Sequence, residues 1–284
     1  MALKDILVHV DDARGHNARL RLAIELASRN DAHLTGLFVI EPINVASYGA
    51  PTGPDVAALA TLDALQEEHH AAREAVAHRL GGEFDSATEL AGVAAEWRVV
   101  EGDPAEAATL NARYVDLAIL GQVDPDKPGI SAPPPEAVLL GSGRPILVVP
   151  YIGAPERVGR RVLVAWNASR EAARAVNDAL PLLEDAETVI VQSINPERGI
   201  GGEGDLPAAD IALHLARHGV TAEAAYAVAE DIGVGDALLS RVSDLGSDLI
   251  VMGGYGHSRL REFVLGGATR TVLRHMTVPV LLSH

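Results

Sequence analysis

Four glycines near the end of the chain have a spacing that suits phosphate binding. Gly253 and Gly256 follow an apolar run, whereas Gly266 and Gly267 precede a helical pattern. Glycine lets the backbone approach a ligand closely because it has no Cβ. The first N–H groups of a helix have no intrahelical acceptor, and together with the helix dipole they favour an anion. The pattern predicts a polyphosphate cradle; the alternative interpretation is that the glycines only mark turns.

Short apolar runs alternate with helical patterns, and the two halves of the chain repeat one another. DLAILG at 116–121 parallels DLIVMG at 248–253, and RPILVVP parallels VPVLLSH. Continuous apolar runs of this kind favour strands buried on both faces of a parallel sheet. Helices are predicted between the strands, including 57–79 and 104–115. The repeat predicts two five-stranded α/β domains, 1–150 and 151–284.

Doubly wound parallel sheets bind ligands beyond the carboxyl ends of the strands, where the strand order reverses. The loops after the first and fourth strands of each half are therefore the places to look for a site. In the second half the first strand ends in Ala165, Trp166 and Asn167. Trp166 either lines this site or packs in the core, and Asn167 either contacts a ligand or, like Ser169, caps the next helix.

The glycine stretch resembles the nucleotide-binding motif G-x2-G-x9-G-[S/T] of the universal stress protein family. Gly253, Gly256 and Gly266 stand at the family spacing, and the flanking DLIVMG and TVPVLL also resemble the family. The resemblance covers essentially the whole chain. It implies a tandem member of HUP-like fold with strand order 3-2-1-4-5, which binds ATP or a similar adenine nucleotide in its second half and serves a stress response as a regulatory module.

Ten residues make up the ligand site that the resemblance implies. They are Ala165, Trp166, Asn167, Gly253, Gly256, His257, Gly266, Gly267, Ala268 and Thr269. His257 either touches phosphates or faces solvent. Mg²⁺ is expected only as a companion of ATP, with the phosphates as its main ligands.

Two of these residues depart from the family pattern. Gly267 stands where the family has Ser or Thr, which removes one hydrogen bond worth roughly 0.5–1.5 kcal/mol, and Thr269 is a candidate replacement. Asn167 stands where the family has an Asp that contacts the nucleoside. Asn keeps an acceptor oxygen and gains two donors. ATP binding is therefore expected to be weakened and not abolished.

The first half lacks the glycine motif. Asp11 matches the family position better than Asn167 does, but Asp124 stands where Gly256 has its counterpart. Asp126 and several prolines follow, and neither carboxylates nor residues without an N–H suit a phosphate. LGSG at 140–143 resembles the motif but lies too close to the last strand, so Gly141 is predicted to end the last helix. The first half is interpreted as a degenerate, non-binding copy.

Composition excludes several classes of protein. The formal net charge is −16, which disfavours a nucleic-acid-binding face. The chain has no cysteine, so disulfides, thiolate catalysis and Cys-ligated zinc are excluded. No apolar run reaches about 18 residues and the first residues do not form a signal peptide, so no membrane association is expected and the cytoplasm is the expected compartment.

No metal-ligand motif and no catalytic base were identified, and GIGGEG at 199–204 is interpreted as a loop.

Three functional hypotheses remain. The first is a nucleotide-binding regulatory module that is not a dedicated enzyme. The second is a slow ATP hydrolase, with Arg259, Arg261 or Arg270 supplying a cation. The third is a nucleotide-free protein that binds a partner or another small molecule. In each case the two halves are expected to pair through their last strands as an intramolecular pseudo-dimer, and the sequence leaves open whether two chains form a homodimer.

Overall fold

Strands and helices alternate along both halves of the chain. The computed structural model describes residues 2–43, 56–124, 132–196, 208–255 and 267–284, with the backbone alone for 56–61. The first half contains β1 (Asp5–His9), α1 (His16–Asn30), β2 (His33–Ile40), α2 (Val56–Ala91), β3 (Ala95–Glu101), α3 (Pro104–Ala112), β4 (Leu117–Gly121), α4 (Pro135–Ser142) and β5 (Ile146–Val149). The second half contains β6 (Arg161–Trp166), α5 (Arg170–Leu183), β7 (Thr188–Ile194), α6 (Ala209–Arg217), β8 (Ala222–Ala227), α7 (Val234–Leu245), β9 (Leu249–Gly253), α8 (Gly267–His275) and β10 (Val280–Ser283).

The ten strands form one sheet in the order β3-β2-β1-β4-β5-β10-β9-β6-β7-β8. Each half has the predicted order 3-2-1-4-5 and is parallel throughout. The halves meet where β5 pairs antiparallel with β10, with Leu147 opposite Leu281. The fold class and the junction through the last strands are thus confirmed. Helices cover both faces of the sheet and enclose two apolar clusters.

The outermost strands differ from the others in burial. β4, β5 and β10 are buried along their whole length, as continuous apolar runs predict. β3 and β8 lie at the two edges and keep exposed side chains, among them Val99 and Tyr226. The expectation that every strand is buried on both faces was wrong for these two, because an edge strand has a neighbour on one side only.

Two helices differ in length from their predicted ranges. α2 continues to Ala91, past the paired glycines at which the predicted helix stopped. A Cβ at Gly81 would lie 2.9 Å from Trp97 Nε1, so this glycine lets the helix pack against the edge strand β3. α3 ends at Ala112, earlier than predicted, and the Asp103 side chain caps its start. No helix among the described residues combines the length and the apolar character needed to cross a membrane.

Equivalent contacts join the two halves across the junction. Gln122, just after β4, donates from Nε2 to the carbonyl oxygens of Leu273 at 2.9 Å and Arg274 at 3.1 Å, at the end of α8. Gly254, just after β9, lies against Leu139 of α4, whose Cδ2 would be 2.5 Å from a Cβ. In each half the residue after the fourth strand therefore contacts the last helix of the other half, as a pseudo-twofold axis requires.

The LGSG segment lies at the end of α4, where it was predicted, but the terminating residue differs. Gly143 is the C-cap and adopts φ 70, the left-handed conformation that favours glycine. Gly141 lies inside the last turn, where a Cβ would be 2.7 Å from Thr109 Cγ2. Gly141 thus serves packing against α3, and Gly143 ends the helix.

Candidate functional site

The carboxyl ends of β6 and β9 lie side by side in the second half of the sheet. Ala165 of β6 is paired with Met252 of β9, and β7 lies on the other side of β6. The strand order therefore reverses between β6 and β9, which is where doubly wound sheets bind ligands. Asn167 directly follows β6 and Gly253 ends β9. The structure thus brings these two predicted site residues to the same edge of the sheet.

The exposed residue Asn167 supports the start of α5. Its Oδ1 accepts hydrogen bonds from Ser169 N at 3.3 Å and from Ser169 Oγ at 2.7 Å. Ser169 is the N-cap, and its Oγ accepts from Ala172 N at 3.2 Å. Of the two capping alternatives, Ser169 is the cap and Asn167 positions it. The acceptor oxygen of Asn167 is therefore engaged within the loop.

Gly253 has a packing role of its own. A Cβ at this position would lie 2.5 Å from Ala172 N and 2.9 Å from Glu171 Cβ. The end of β9 is thus pressed against the first turn of α5, and no larger residue fits without a shift of backbone. Close packing at the turn and close approach of a ligand are compatible roles for Gly253, because both need a residue without a Cβ.

Glu171 is a buried carboxylate beside Gly253 and is only 3% exposed. Its side chain forms an ion pair with Arg170. Burial alone raises the pKa of Glu171, but the hydrogen bond and charge of Arg170, together with the backbone N–H of Glu171 and the nearby His284, outweigh burial, and the pKa is lowered. Glu171 is therefore ionised at neutral pH, with its charge compensated by a residue of the same helix turn.

The first residue of α8 is the exposed Gly267, and a Cβ there would meet no atom of the described residues within 4 Å. Ala268 is half-buried. Thr269 is 4% exposed, and its Oγ1 accepts from Tyr255 N at 3.5 Å. The oxygen of Thr269 thus links α8 to the segment after β9. Because this contact uses the hydroxyl as an acceptor only, its O–H donor remains, and the role of Thr269 as the replacement for the missing Ser or Thr at 267 stays a prediction.

The remaining predicted residues are only partly described. Ala165 and Trp166 are half-buried at the end of β6, and Trp166 packs against one of the two apolar clusters. Trp166 is therefore at the border between core and cleft, which leaves both of its predicted roles open. Gly256, His257 and Gly266 lie outside the described residues, as does the GIGGEG segment.

The equivalent cleft of the first half is filled by Arg19. This side chain is 3% exposed, and its Nη2 lies 2.8 Å from Asp11 Oδ1. Its Nε donates to the carbonyl oxygen of His9 at 2.8 Å. A Cβ at Gly121, which ends β4, would lie 2.1 Å from Arg19 Nη1. The guanidinium group therefore occupies the space between the ends of β1 and β4.

Arg19 also sets the charge of Asp11. Burial alone raises the pKa of the Asp11 carboxyl, but the Arg19 guanidinium and the His9 imidazole, whose Nδ1 lies 3.5 Å from Asp11 Oδ2, together outweigh burial and hold the pKa far below its usual range. Burial lowers the pKa of His9, against the opposing effect of Asp11. Asp11 is thus a paired carboxylate beside a neutral imidazole. It has the residue type of the family's nucleoside contact, but its negative charge is already compensated.

Sequence reasoning missed Arg19 and Gln122. A signal for Arg19 exists, because it lies three residues before Leu22 and seven before Leu26 on the buried face of α1. A cation on an apolar helix face has to meet a carboxylate, and Asp11 is the acidic residue at the adjacent strand end. Gln122 has no comparable signal, because its partners belong to the other half of the chain.

The two halves of the sheet correspond to two matches with a known family. The family model of the universal stress proteins matches residues 2–150 and again residues 159–284. The chain belongs to the universal stress protein family. Its structure resembles that of a universal stress protein from Archaeoglobus fulgidus, with a TM-score of 0.74, 18% identity, and coverage of 98% of this chain and 95% of the other.

Other relatives of this universal stress protein are more distant or match only locally. A protein of unknown function from Pseudomonas aeruginosa has a TM-score of 0.56 at 16% identity, covering 99% of this chain and 92% of its own. At such identities the likeness shows the fold alone. A universal stress protein of Synechocystis is 44% identical over 46 residues, which is 16% of this chain and 16% of the relative.

The described part of this universal stress protein contains no group of three or more His, Cys, Asp or Glu side chains placed to hold a metal ion. The second half has instead the backbone N–H groups at the start of α8, the exposed Asn167 loop and the end of β9. Groups of this kind suit a polar organic ligand that carries an anion, with the anion at the helix start.

Proposed function

We propose that the second half, 151–284, binds an adenine nucleotide such as ATP, and that the chain serves a stress response as a regulatory module. The observation that carries this proposal is the exposed start of α8. Among the described residues no atom lies within 4 Å of the Cβ direction of Gly267, and Thr269 in the same turn contacts the segment that follows β9. The helix N-terminus can stabilise phosphate charge there without a cluster of cations, which suits a chain of net charge −16.

In this proposal each part of the nucleotide has its own contact. The phosphates lie at the start of α8, and Mg²⁺, where it accompanies ATP, is held mainly by them. The nucleoside lies toward the ends of β6 and β9, beside Trp166 and Asn167. The first half, 1–150, does not bind a nucleotide, because Arg19 fills its cleft. The cysteine-free composition fits a cytoplasmic role.

Gly267→Asp tests the site directly. The added carboxylate has room and suits a helix start, so the fold is expected to persist, whereas a phosphate at the same N–H groups is repelled. Equilibrium dialysis with labelled ATP is expected to show saturable binding to the native chain and at least a tenfold loss in the variant. The matched control is Gly82→Asp, since Gly82 is exposed and also has nothing within 4 Å.

Two results would overturn the assignment. One is an absence of saturable binding to the native chain at millimolar ATP. The other is equal ATP affinity in Gly267→Asp and Gly82→Asp. Circular dichroism of both variants, compared with the native chain, keeps a loss of folding from being taken for a loss of binding.

A nucleotide-free protein is the second candidate, and particular contacts favour it. Asn167 Oδ1 accepts hydrogen bonds from Ser169 within the loop, and Gly267 supplies no hydroxyl. Of the two polar contacts that the family pattern includes at these positions, one acceptor is thus already bonded and one hydroxyl is missing. Mass spectrometry of small molecules released from the purified protein separates the candidates: an adenine nucleotide supports the first, and a different compound supports the second.

A further inference from the structure

The short helix α8 carries the proposed phosphate contacts at its first turn. It has nine residues, Gly267–His275, and a helix of this length is not stable in isolation. Packing against neighbouring elements therefore fixes where its first N–H groups point. α7 of the same half packs along α8, but contacts from the first half hold both of its ends. The residues that make these contacts determine the geometry of the proposed site.

Gln122 of the first half binds the last turn of α8. It is 8% exposed, and its Nε2 donates to the carbonyl oxygens of Leu273 at 2.9 Å and Arg274 at 3.1 Å. These carbonyl groups are among the last four of the helix, which have no intrahelical donor. Its Oε1 accepts from Tyr151 N at 3.2 Å, in the segment that follows β5. The side-chain amide is thus bonded on both sides and links α8 to the first half.

The second half does not return this hydrogen bond. The repeat aligns Gln122 with Gly254, which has no side chain. The last turn of α4 is instead bound within its own half, where Arg113 Nη2 donates to the carbonyl oxygen of Gly141 at 3.2 Å. The repeat aligns Arg113 with Leu245, which has no side-chain donor. The last turn of α8 is therefore held from the other half of the chain, whereas the last turn of α4 is held from its own.

Tyr255 contacts the first turn of α8 and lies at the junction of the halves. Its N–H donates to Thr269 Oγ1 at 3.5 Å, and its φ of 59 is left-handed, a conformation that bulky L-residues rarely adopt. Its hydroxyl is enclosed and has no partner at hydrogen-bond geometry among the described residues. Burial and the Glu136 carboxylate of α4 raise the pKa of Tyr255, against the effect of Arg270 of α8. The groups around this hydroxyl thus come from both halves.

We propose that Gln122 is a positioning residue for the second-half site, so that the first half, whose own cleft is filled by Arg19, sets the nucleotide affinity of the second through α8. This inference rests on the proposed nucleotide site at the start of α8. Gln122 is bonded at the opposite end of the helix, about 10 Å from Gly267 at a rise of 1.5 Å per residue. It does not touch a phosphate at the first turn, and its effect on affinity passes through the position of α8.

Equilibrium dialysis of the full chain with labelled ATP tests the proposal by comparing Gln122→Met with Asn111→Leu. Both variants replace a buried amide of the first half, but Asn111 Nδ2 donates to Ala107 O within its own helix. Urea unfolding is expected to show a loss of stability for both. Only Gln122→Met is expected to bind ATP at least about threefold more weakly, which is within the range for residues that act on a ligand from a distance. Gln122→Ser, whose smaller side chain cannot overpack, is the second variant and is expected to weaken ATP binding in the same way.

Hydrogen exchange of the ligand-free chain supplies a readout that needs no nucleotide. Gln122→Met is expected to speed the exchange of amides in the last turn of α8, and Asn111→Leu is expected to leave them unchanged. Unchanged exchange in α8 of Gln122→Met overturns the inference, whether or not ATP binds.

The binding results separate this inference from the proposed function. ATP affinity that is equal in Gln122→Met and Asn111→Leu overturns the positioning role of Gln122 and leaves the nucleotide site intact. A native chain that does not bind ATP overturns the proposed function, and the role of Gln122 toward that site falls with it.

Discussion

The clefts at the ends of β1 and β4 and at the ends of β6 and β9 occupy equivalent places in a duplicated fold. In the first, Asp11 is buried and paired with Arg19, whose guanidinium lies against Gly121. In the second, Asn167 is exposed, α5 begins directly over Gly253, and Gly267 faces open space. The half that keeps the family-like carboxylate is the half that has filled its cleft, so residue type at one position does not identify a binding site. What matters is whether a neighbouring side chain already forms the hydrogen bonds or ion pair that a ligand would otherwise form with that residue.

The largest expected effect comes from emptying the first cleft with Arg19→Met. Methionine has a similar length but leaves Asp11 buried without its cation. Removal of one partner from a buried ion pair typically destabilises by about 3–5 kcal/mol, and the carbonyl oxygen of His9 loses a donor as well. Urea unfolding is expected to show a loss of that size, and NMR titration a raised pKa for Asp11.

Two further variants show whether the loss comes from the unpaired charge. Asp11→Asn added to Arg19→Met removes the charge and is expected to recover part of the stability. Arg21→Met changes an exposed arginine of the same helix and is expected to shift stability by less than about 0.5 kcal/mol. Equal losses from Arg19→Met and Arg21→Met would show that Arg19 does not stabilise the first half in the way described.

Gly121→Ala and Gly253→Ala are each expected to lower the folding stability by about 1–3 kcal/mol, the usual cost of overpacking. Together they compare the end of β4 with the end of β9. The new methyl group meets Arg19 Nη1 at 2.1 Å in the first case and Ala172 N at 2.5 Å in the second. We therefore expect Gly121→Ala to cost little once Arg19→Met is present, whereas Gly253→Ala adds independently of it. A double-mutant cycle by chemical unfolding measures both couplings. Additive losses for Gly121→Ala with Arg19→Met would contradict the contact between these two residues.

The sheet and its order were predictable from sequence because two independent signals agree. Buried parallel strands require continuous apolar runs, and the repeat of DLAILG as DLIVMG fixes which strands correspond. The same repeat predicts Gly253 at the end of the fourth strand, whereas the role of Gly267 was inferred from the glycine spacing and stays a prediction. The structure adds that packing against α5 requires Gly253 and that no contact among the described residues requires Gly267.

The filled cleft and the length of α2 were not predictable in this way. Arg19 is recognisable as a filler only once Asp11 and Gly121 are known to meet at one edge, which is a property of the sheet and not of a local pattern. Gly81 resembles a helix breaker until Trp97 of β3 is placed against it. In both cases the residues that explain the feature lie on another helix or strand, so the local sequence pattern does not predict it.

A smaller effect is expected from restoring the family hydroxyl with Gly267→Ser. The position has room for the side chain and lies at the start of α8. One added hydrogen bond to a phosphate oxygen is worth roughly 0.5–1.5 kcal/mol, which corresponds to at most about a tenfold gain in ATP affinity. Equilibrium dialysis measures the gain, with Gly82→Ser as the control. An affinity that is equal in the two variants would mean that the phosphates do not reach the start of α8.

The smallest effect is an acid-dependent loss of stability that originates in the first half. Burial lowers the pKa of His9 and of His16, and Ala165 stands in the second half where the repeat aligns it with His9. A group whose pKa is lower in the folded chain takes up a proton more readily when unfolded, so stability falls as the pH falls below about 6.5. Between pH 7.5 and 6.5 each such histidine is expected to cost a few tenths of a kcal/mol. His9→Gln should reduce this slope in urea unfolding, and the exposed His78→Gln should not; an unchanged slope in His9→Gln would place the acid sensitivity elsewhere in the chain.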